Sequence, residues 1–259
     1  MAPAPVRASL VVCLVLTLAS SAKGQATPPP APAPAPPSLT PPCPSTPLIH
    51  GAKVFGVRPG SPFLFTVAAT GDRPLTFSVD NLPSGLTLDS ATGRITGTAP
   101  KKGDYAVTLH AKNALGETQR PLLIKAGNTL ALTPPMGWNS WNCFAGAVSD
   151  AKIRAAADAM VESRLIDHGW TYINIDDFWQ VNPTSKNLTL LGPERDPKGN
   201  ILPNSRFPDM QALAQYIHAK GLKAGSIPRP GPTPVVAAPA AIGMKCRTPI
   251  NTPPGVSTT

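Results

Sequence analysis

Trp138, Asn139, Ser140 and Trp141 form one aromatic and polar group in this sequence, and Asp176 with Asp177 forms another. Together such residues can grip a sugar. Carboxylate oxygens accept hydrogen bonds from hydroxyls, and an indole face covers the apolar C–H side of a pyranose. A carboxylate pair just past an apolar strand is costly unless something satisfies it. Capping of a following helix by Asp176 or Asp177, with the tryptophans as core, is the plainer alternative, and composition alone leaves it open. A retaining acid/nucleophile pair fits poorly. Adjacent strand residues point to opposite faces, whereas that mechanism needs carboxyl groups roughly 5 Å apart across one bond. No histidine or further carboxylate accompanies the pair at ligand spacing, so no metal and no cofactor is expected.

The elements that must position these groups alternate between strand and helix from Thr129 onward. Pro135-Met136-Gly137-Trp138 begins a short strand. Ser149 or Asp150 can cap a helix running to about Leu165, with Ile153, Ala156, Ala157, Met160 and Val161 on one side. Thr171 to Ile175 is a β-branched strand that runs straight into Asp176. After a loop rich in Pro, Gly and Asn, Pro208 suits a helix start, and Met210, Leu213, Ala214 and Ile217 give its apolar stripe. Leu222 to Gly225 begins a third strand. Repeated βα units mean a parallel sheet, open or closed into a barrel, and in a barrel the ligand-binding residues sit at the C-terminal strand ends.

Upstream, residues 1–24 read as a secretory signal: Arg7, an apolar run from Ser9 to Ser21, and a small-x-small site at Ala22-Lys23-Gly24. The run is short for a membrane span, so the expectation is export to the periplasm or medium, with no stable membrane insertion once the signal is removed. Residues 25–48 are a proline-rich linker, which stays extended and builds no core. Residues 49–126 show alternation at Phe63/Phe65/Val67, Leu75/Phe77/Val79 and Tyr105/Val107/Leu109, punctuated by glycine turns. That pattern predicts an all-β antiparallel sandwich, similar to the immunoglobulin/cadherin-like modules of secreted bacterial proteins. Its expected role is spacing, or weak contact with sugar or cell wall.

The net charge of +9 invites a nucleic-acid reading, but the basic residues are scattered with no aromatic platform beside them, so no nucleic-acid partner is expected. Of four cysteines, Cys13 leaves with the signal and Cys43 sits in the linker. Cys143 and Cys246 are far apart, and nothing specifies a disulfide. Asn187-Leu188-Thr189 matches a glycosylation acceptor, relevant only in a host that uses it.

TPPMGWNSWNCF (133–144), HGWTYINIDDFWQ (168–180) and NSRFPDMQALAQYIHAKGLKAG (204–225) resemble, in order, the opening blocks of α-galactosidases of glycoside hydrolase family twenty-seven. The resemblance implies a (β/α)8 TIM barrel, present here only in its N-terminal part over residues 129–225, that cleaves terminal α-galactosides with retention. It implies that Trp141 stacks on or borders the galactose while Asp176 and Asp177 bind its outer hydroxyls. It also implies a nucleophilic aspartate in a Lys-Tyr-Asp block at the fourth strand and a later acid/base aspartate. Neither block occurs in this sequence, so no catalytic residue is assigned and little activity is expected. The partner implied is an α-galactoside oligosaccharide or polysaccharide. The family often has a cysteine directly after the aspartate pair, where Phe178 stands here.

Residues 226–259 depart from that pattern, with eight prolines, no carboxylate and no periodicity. Read one base out of frame with permissive codons, the same stretch can yield Tyr-Ser-Ser-Pro-Gly-Pro and His-Glu-x-Gln-Asp-Ala in the family's order. The expectation is therefore a frameshifted tail after a one-base slip near Lys223 to Gly225. The rival from another class is a secreted, non-catalytic carbohydrate-binding or spacer protein that acts through the β-module.

Overall fold

The computed structural model describes residues 43–226. The expected signal, most of the linker and the tail from residue 227 lie outside the described residues. The linker's last described residues do not behave as a free tether. Ser45 accepts hydrogen bonds at its carbonyl from Asp72 N and Asn113 Nδ2, and Pro47 is buried. The β-module thus engages the chain a few residues before residue 49.

Nine strands build the module: β1 (Leu48–Ile49), β2 (Val54–Val57), β3 (Pro62–Thr66), β4 (Ala69–Thr70), β5 (Thr76–Asp80), β6 (Leu86–Asp89), β7 (Arg94–Thr98), β8 (Gly103–Asn113) and β9 (Gly116–Ala126). They form a four-stranded sheet in the order β2-β9-β8-β5, a three-stranded sheet β3-β7-β6, and the pair β1-β4. The inward faces of the two larger sheets share one apolar cluster that includes Phe63, Phe65, Ile95, Phe77, Leu109, Leu122 and Ile124. Alternation along β8 and β9 places Val107, Leu109, Leu122 and Ile124 in that cluster and their neighbours outside it, the signature of a sandwich. One expectation is corrected: the sandwich is not wholly antiparallel. β2 runs parallel to β9, Val54 facing Leu123 and Val57 facing Ala126. β2 is too short and too evenly half-buried for sequence alternation to reveal its direction.

The second part contains β10 (Gly137–Asn139), α1 (Trp141–Phe144), α2 (Asp150–Glu162), β11 (Tyr172–Ile175), α3 (Met210–Ala219) and β12 (Lys223–Ser226). The three strands are parallel in the order β10-β11-β12. Strands and helices alternate as expected, with a parallel sheet of three strands among the described residues, consistent with part of an α/β barrel. Gly137 and Gly225 allow the strands to close up. A Cβ at Gly137 would run into the Tyr172 carbonyl, and one at Gly225 into the Asn174 side chain. Ile173, Ile175, Ile153, Leu213, Ile217 and Leu222 form its core, separate from that of the module.

α2 is capped by Ser149, whose hydroxyl accepts from Lys152 N. α3 starts later than expected: Asp209, not Pro208, sets its N-terminus, accepting from Ala212 N at 2.8 Å. A carboxylate at the cap satisfies an orphan amide and meets the positive end of the helix dipole, so it fixes the boundary more firmly than proline does.

The module docks against the end of the parallel sheet where its strands begin. Thr66 Oγ1 donates to the Gly221 carbonyl at 2.7 Å, and Thr133 Oγ1 donates to the Val54 carbonyl at 2.8 Å. The Arg94 guanidinium donates to the Ala219 carbonyl, and Arg73 pairs with Asp167 at 2.7 Å. Lys223, the first residue of β12, holds its ammonium 3.8 Å from the centre of the Phe55 ring. These contacts leave the C-terminal strand ends facing away from the module.

Candidate functional site at the strand tips

The predicted site residues come together at those C-terminal ends. Register places Asn139 opposite Asn174, so β10 and β11 finish level with one another. Ser140 then stitches the two tips together. Its backbone N donates to the Asn174 carbonyl at 3.1 Å, and its buried hydroxyl accepts from Asp176 N at 2.9 Å. Asn139 Oδ1 accepts from Trp141 N at 2.8 Å, which turns the chain into α1 and presents Trp141 at the rim with 43% of its surface exposed. An indole this open is not core, whereas Trp138 packs against the apolar cluster, edge-on to Phe144, as the plainer alternative has it.

The other half of that alternative concerned helix capping, and no helix follows the aspartates. Asp176 Oδ1 accepts from Asp177 N at 2.8 Å, and Asp177 Oδ1 accepts from Phe178 N at 2.7 Å. Each carboxylate thus spends one oxygen on the next amide, which fixes a tight loop. Both side chains are half-buried, and Asp176 Oδ2 has no protein partner among the described residues. The loop ends in Phe178 with φ of +70°, a left-handed conformation that costs an ordinary residue about 1 kcal/mol. Where the resembled family often carries cysteine, the Phe178 ring packs against Gly146, and its centroid lies 6.1 Å from that of Trp141. Trp141 and the aspartate loop therefore share one rim.

Sequence reasoning missed what holds that loop. Asn204, 2% exposed, donates from Nδ2 to the carbonyls of Phe178 (2.8 Å) and Gln180 (3.0 Å), and accepts at Oδ1 from Arg206 N (3.0 Å). Arg206 donates from Nε to Thr189 Oγ1 at 2.8 Å and from Nη1 to the Gly146 carbonyl at 2.5 Å. One asparagine and one arginine thus tie the long loop between β11 and α3 to the connection between β10 and α2. The available signal was an amide side chain two residues before an arginine in an otherwise structureless stretch; no local pattern says which carbonyls they reach. Among the described residues no cluster of histidine, cysteine, aspartate and glutamate could hold a metal ion. Cys43 and Cys143 are free and exposed, and Cys246 lies outside the described residues.

Two family models match the chain: "Putative Ig domain" over residues 46–125 and "Alpha galactosidase A" over residues 133–244. The second match runs past Gly225, where the sequence resemblance was expected to stop, into residues outside the described structure. Among curated relatives, an alpha-galactosidase of Coffea arabica is 47% identical over 111 residues, covering 42% of this chain and 25% of the relative. Alpha-galactosidase A of Cellvibrio japonicus is 46% identical over 116 residues, covering 44% and 26%. A crystal structure of a "putative alpha-galactosidase" from Bacteroides fragilis is 42% identical, with a TM-score of 0.63 over 70% of this chain and 37% of that one. The chain spans about a quarter of the length of these curated relatives. In order along the chain, residues 46–125 thus resemble an Ig domain and residues 133–244 resemble part of an alpha-galactosidase domain.

Proposed function

We propose that the rim formed by Trp141, Asp176 and Asp177 is the sugar-positioning half of a retaining α-galactosidase site, and that this chain lacks the reactive half. The observation that carries the reading is the Ser140 bridge, which holds an exposed indole and a carboxylate loop side by side at the tips of adjacent parallel strands. Carboxylate oxygens suit the hydroxyls of a galactosyl ring and the indole suits its apolar face. A double displacement needs two carboxyls flanking the bond, and Asp176 and Asp177, each tied to the next amide of one tight loop, do not flank a common bond. No Lys-Tyr-Asp block occurs in the sequence to supply a nucleophile. The substrate class of the complete enzyme would be terminal α-galactosides. We expect the purified chain to cleave an aryl α-galactoside no faster than buffer does; release of the aryl alcohol above that background, lost on substitution of Asp177, contradicts the proposal.

Export to the periplasm or medium follows from residues 1–24, and no described helix is long and apolar enough to cross a membrane. The residues after Ser226 read best as the product of a one-base slip. The rival reading, a binding or spacer protein acting through the β-module, is disfavoured by the docking, which commits part of the module's surface to supporting the parallel sheet.

A further inference from the structure

Where the module meets the parallel sheet, the seam forms a partly open cavity of about 210 Å³. Its walls come from both parts: Phe55 and Phe65 from the sandwich, Pro134, Pro135 and Met136 from the connector, and Tyr172 from the start of β11. Lys223 is the one basic residue in this lining, and no carboxylate lies there to answer it. Its ammonium rests 3.8 Å from the Phe55 ring centre and 5.7 Å from that of Tyr172, with no hydrogen bond or ion pair to any described residue. An ammonium there has no counter-ion, and the aromatic faces replace only part of the water that its partial burial removes. Nothing in the glycosidase reading uses it, because the cavity sits at the opposite end of the strands from Trp141 and Asp176.

We propose that this cavity is a binding site for a small carboxylate with a flat apolar body, the carboxylate pairing with Lys223 and the body lying against Phe55, Tyr172 and the prolines. Size supports the class: an apolar cavity of roughly 150 Å³ holds benzene. Charge supports it too, since an arriving carboxylate supplies the missing partner and a neutral ligand does not. Because the walls belong to both parts, a bound ligand stabilises their docking and raises the melting temperature with concentration.

The test uses the full chain and benzoate, with benzamide as its uncharged counterpart of nearly equal shape. Titration at pH 6.5, followed by melting temperature and by Tyr and Phe resonances, is expected to show saturable benzoate binding and at least about tenfold weaker benzamide binding. Burial holds the Lys223 ammonium down to about 7, so benzoate affinity should fall at least about tenfold by pH 9 as the charge is lost. The nearby titrating groups do not mimic this. His218 is held below its usual range by burial and by Lys223, and Tyr172 is pushed above its own by burial. Lys223→Met, which keeps the stem without the charge, should abolish the preference for benzoate. Equal binding of benzoate and benzamide, an affinity flat between pH 6.5 and 9, or no binding at about 20 mM benzoate would overturn the proposal, and none of these requires the variant to fold.

Discussion

Ile173→Ala is expected to unfold the parallel-sheet part of the molecule and leave the β-module folded. Ile173 sits at the centre of the middle strand with none of its surface exposed, packed in the cluster that includes Ile153, Leu213 and Ile217. Truncating such a side chain costs about 2–5 kcal/mol, because the lost burial is joined by an unfilled cavity. Three short strands and three helices, one of them a single turn, have little in reserve against that loss. β10 and β12 each show an edge with no strand partner among the described residues. The module's core shares no residue with this cluster, so its stability rests on Ile95, Leu109, Leu122 and their neighbours. Hydrogen exchange followed by mass spectrometry checks this directly. Protection should vanish in residues 137–226 and persist in residues 48–126; simultaneous loss in both would show that the seam makes the two parts one cooperative unit.

Lys223→Met is expected to stabilise the protein at pH 7 and to lose that advantage as pH approaches 10.5. The sign follows from linkage. Burial lowers the folded-state pKa of Lys223 to about 7, against an ordinary value of 10.5 for the unfolded chain. Between those values the unfolded state binds more protons, so wild-type stability rises with pH through that window. The penalty at the low end amounts to roughly 3–5 kcal/mol, of which contact with the Phe55 ring returns about 1–2 kcal/mol. Methionine has a stem of similar length and no charge to desolvate, so at pH 7 the variant should be more stable by about 2–3 kcal/mol. Denaturant melts of both proteins at pH 7 and pH 10 measure the difference. An equal gap at the two pH values would mean that the ammonium is not the source of the cost.

Strand β11 and helix α2 were legible because their apolar residues repeat at the period of the element, and Ile173, Ile175, Ile153 and Ala157 are buried where that period puts them. Errors arose where a single interaction outweighs the pattern. The Asp209 carboxylate, reaching Ala212 N, displaced Pro208 as the marker of the α3 start. β2 gave no sign of its parallel pairing, because direction is set by a partner some seventy residues away and not by its own four residues. Of the site, residue types alone left core packing and helix capping open, and the resemblance is what singled out Trp141, Asp176 and Asp177. Neither could reveal that Ser140 is buried and bridges the tips, or that Asn204 and Arg206 hold the loop in place, because each of those bonds closes a long stretch of chain. The seam was illegible for the same reason: Thr66 and Gly221 meet only after both parts have folded.

The central claim is that a galactosyl ring rests on the strand-tip rim and not on the module. Titrating the full chain with galactose while following assigned backbone amide and indole N–H resonances tests it most directly. Shifts that saturate together at the Trp141 indole and the amides of Asp176, Asp177 and Phe178, with residues 48–126 silent, are the expected result. Shifts confined to the β-module, or none at about 100 mM galactose, would contradict it.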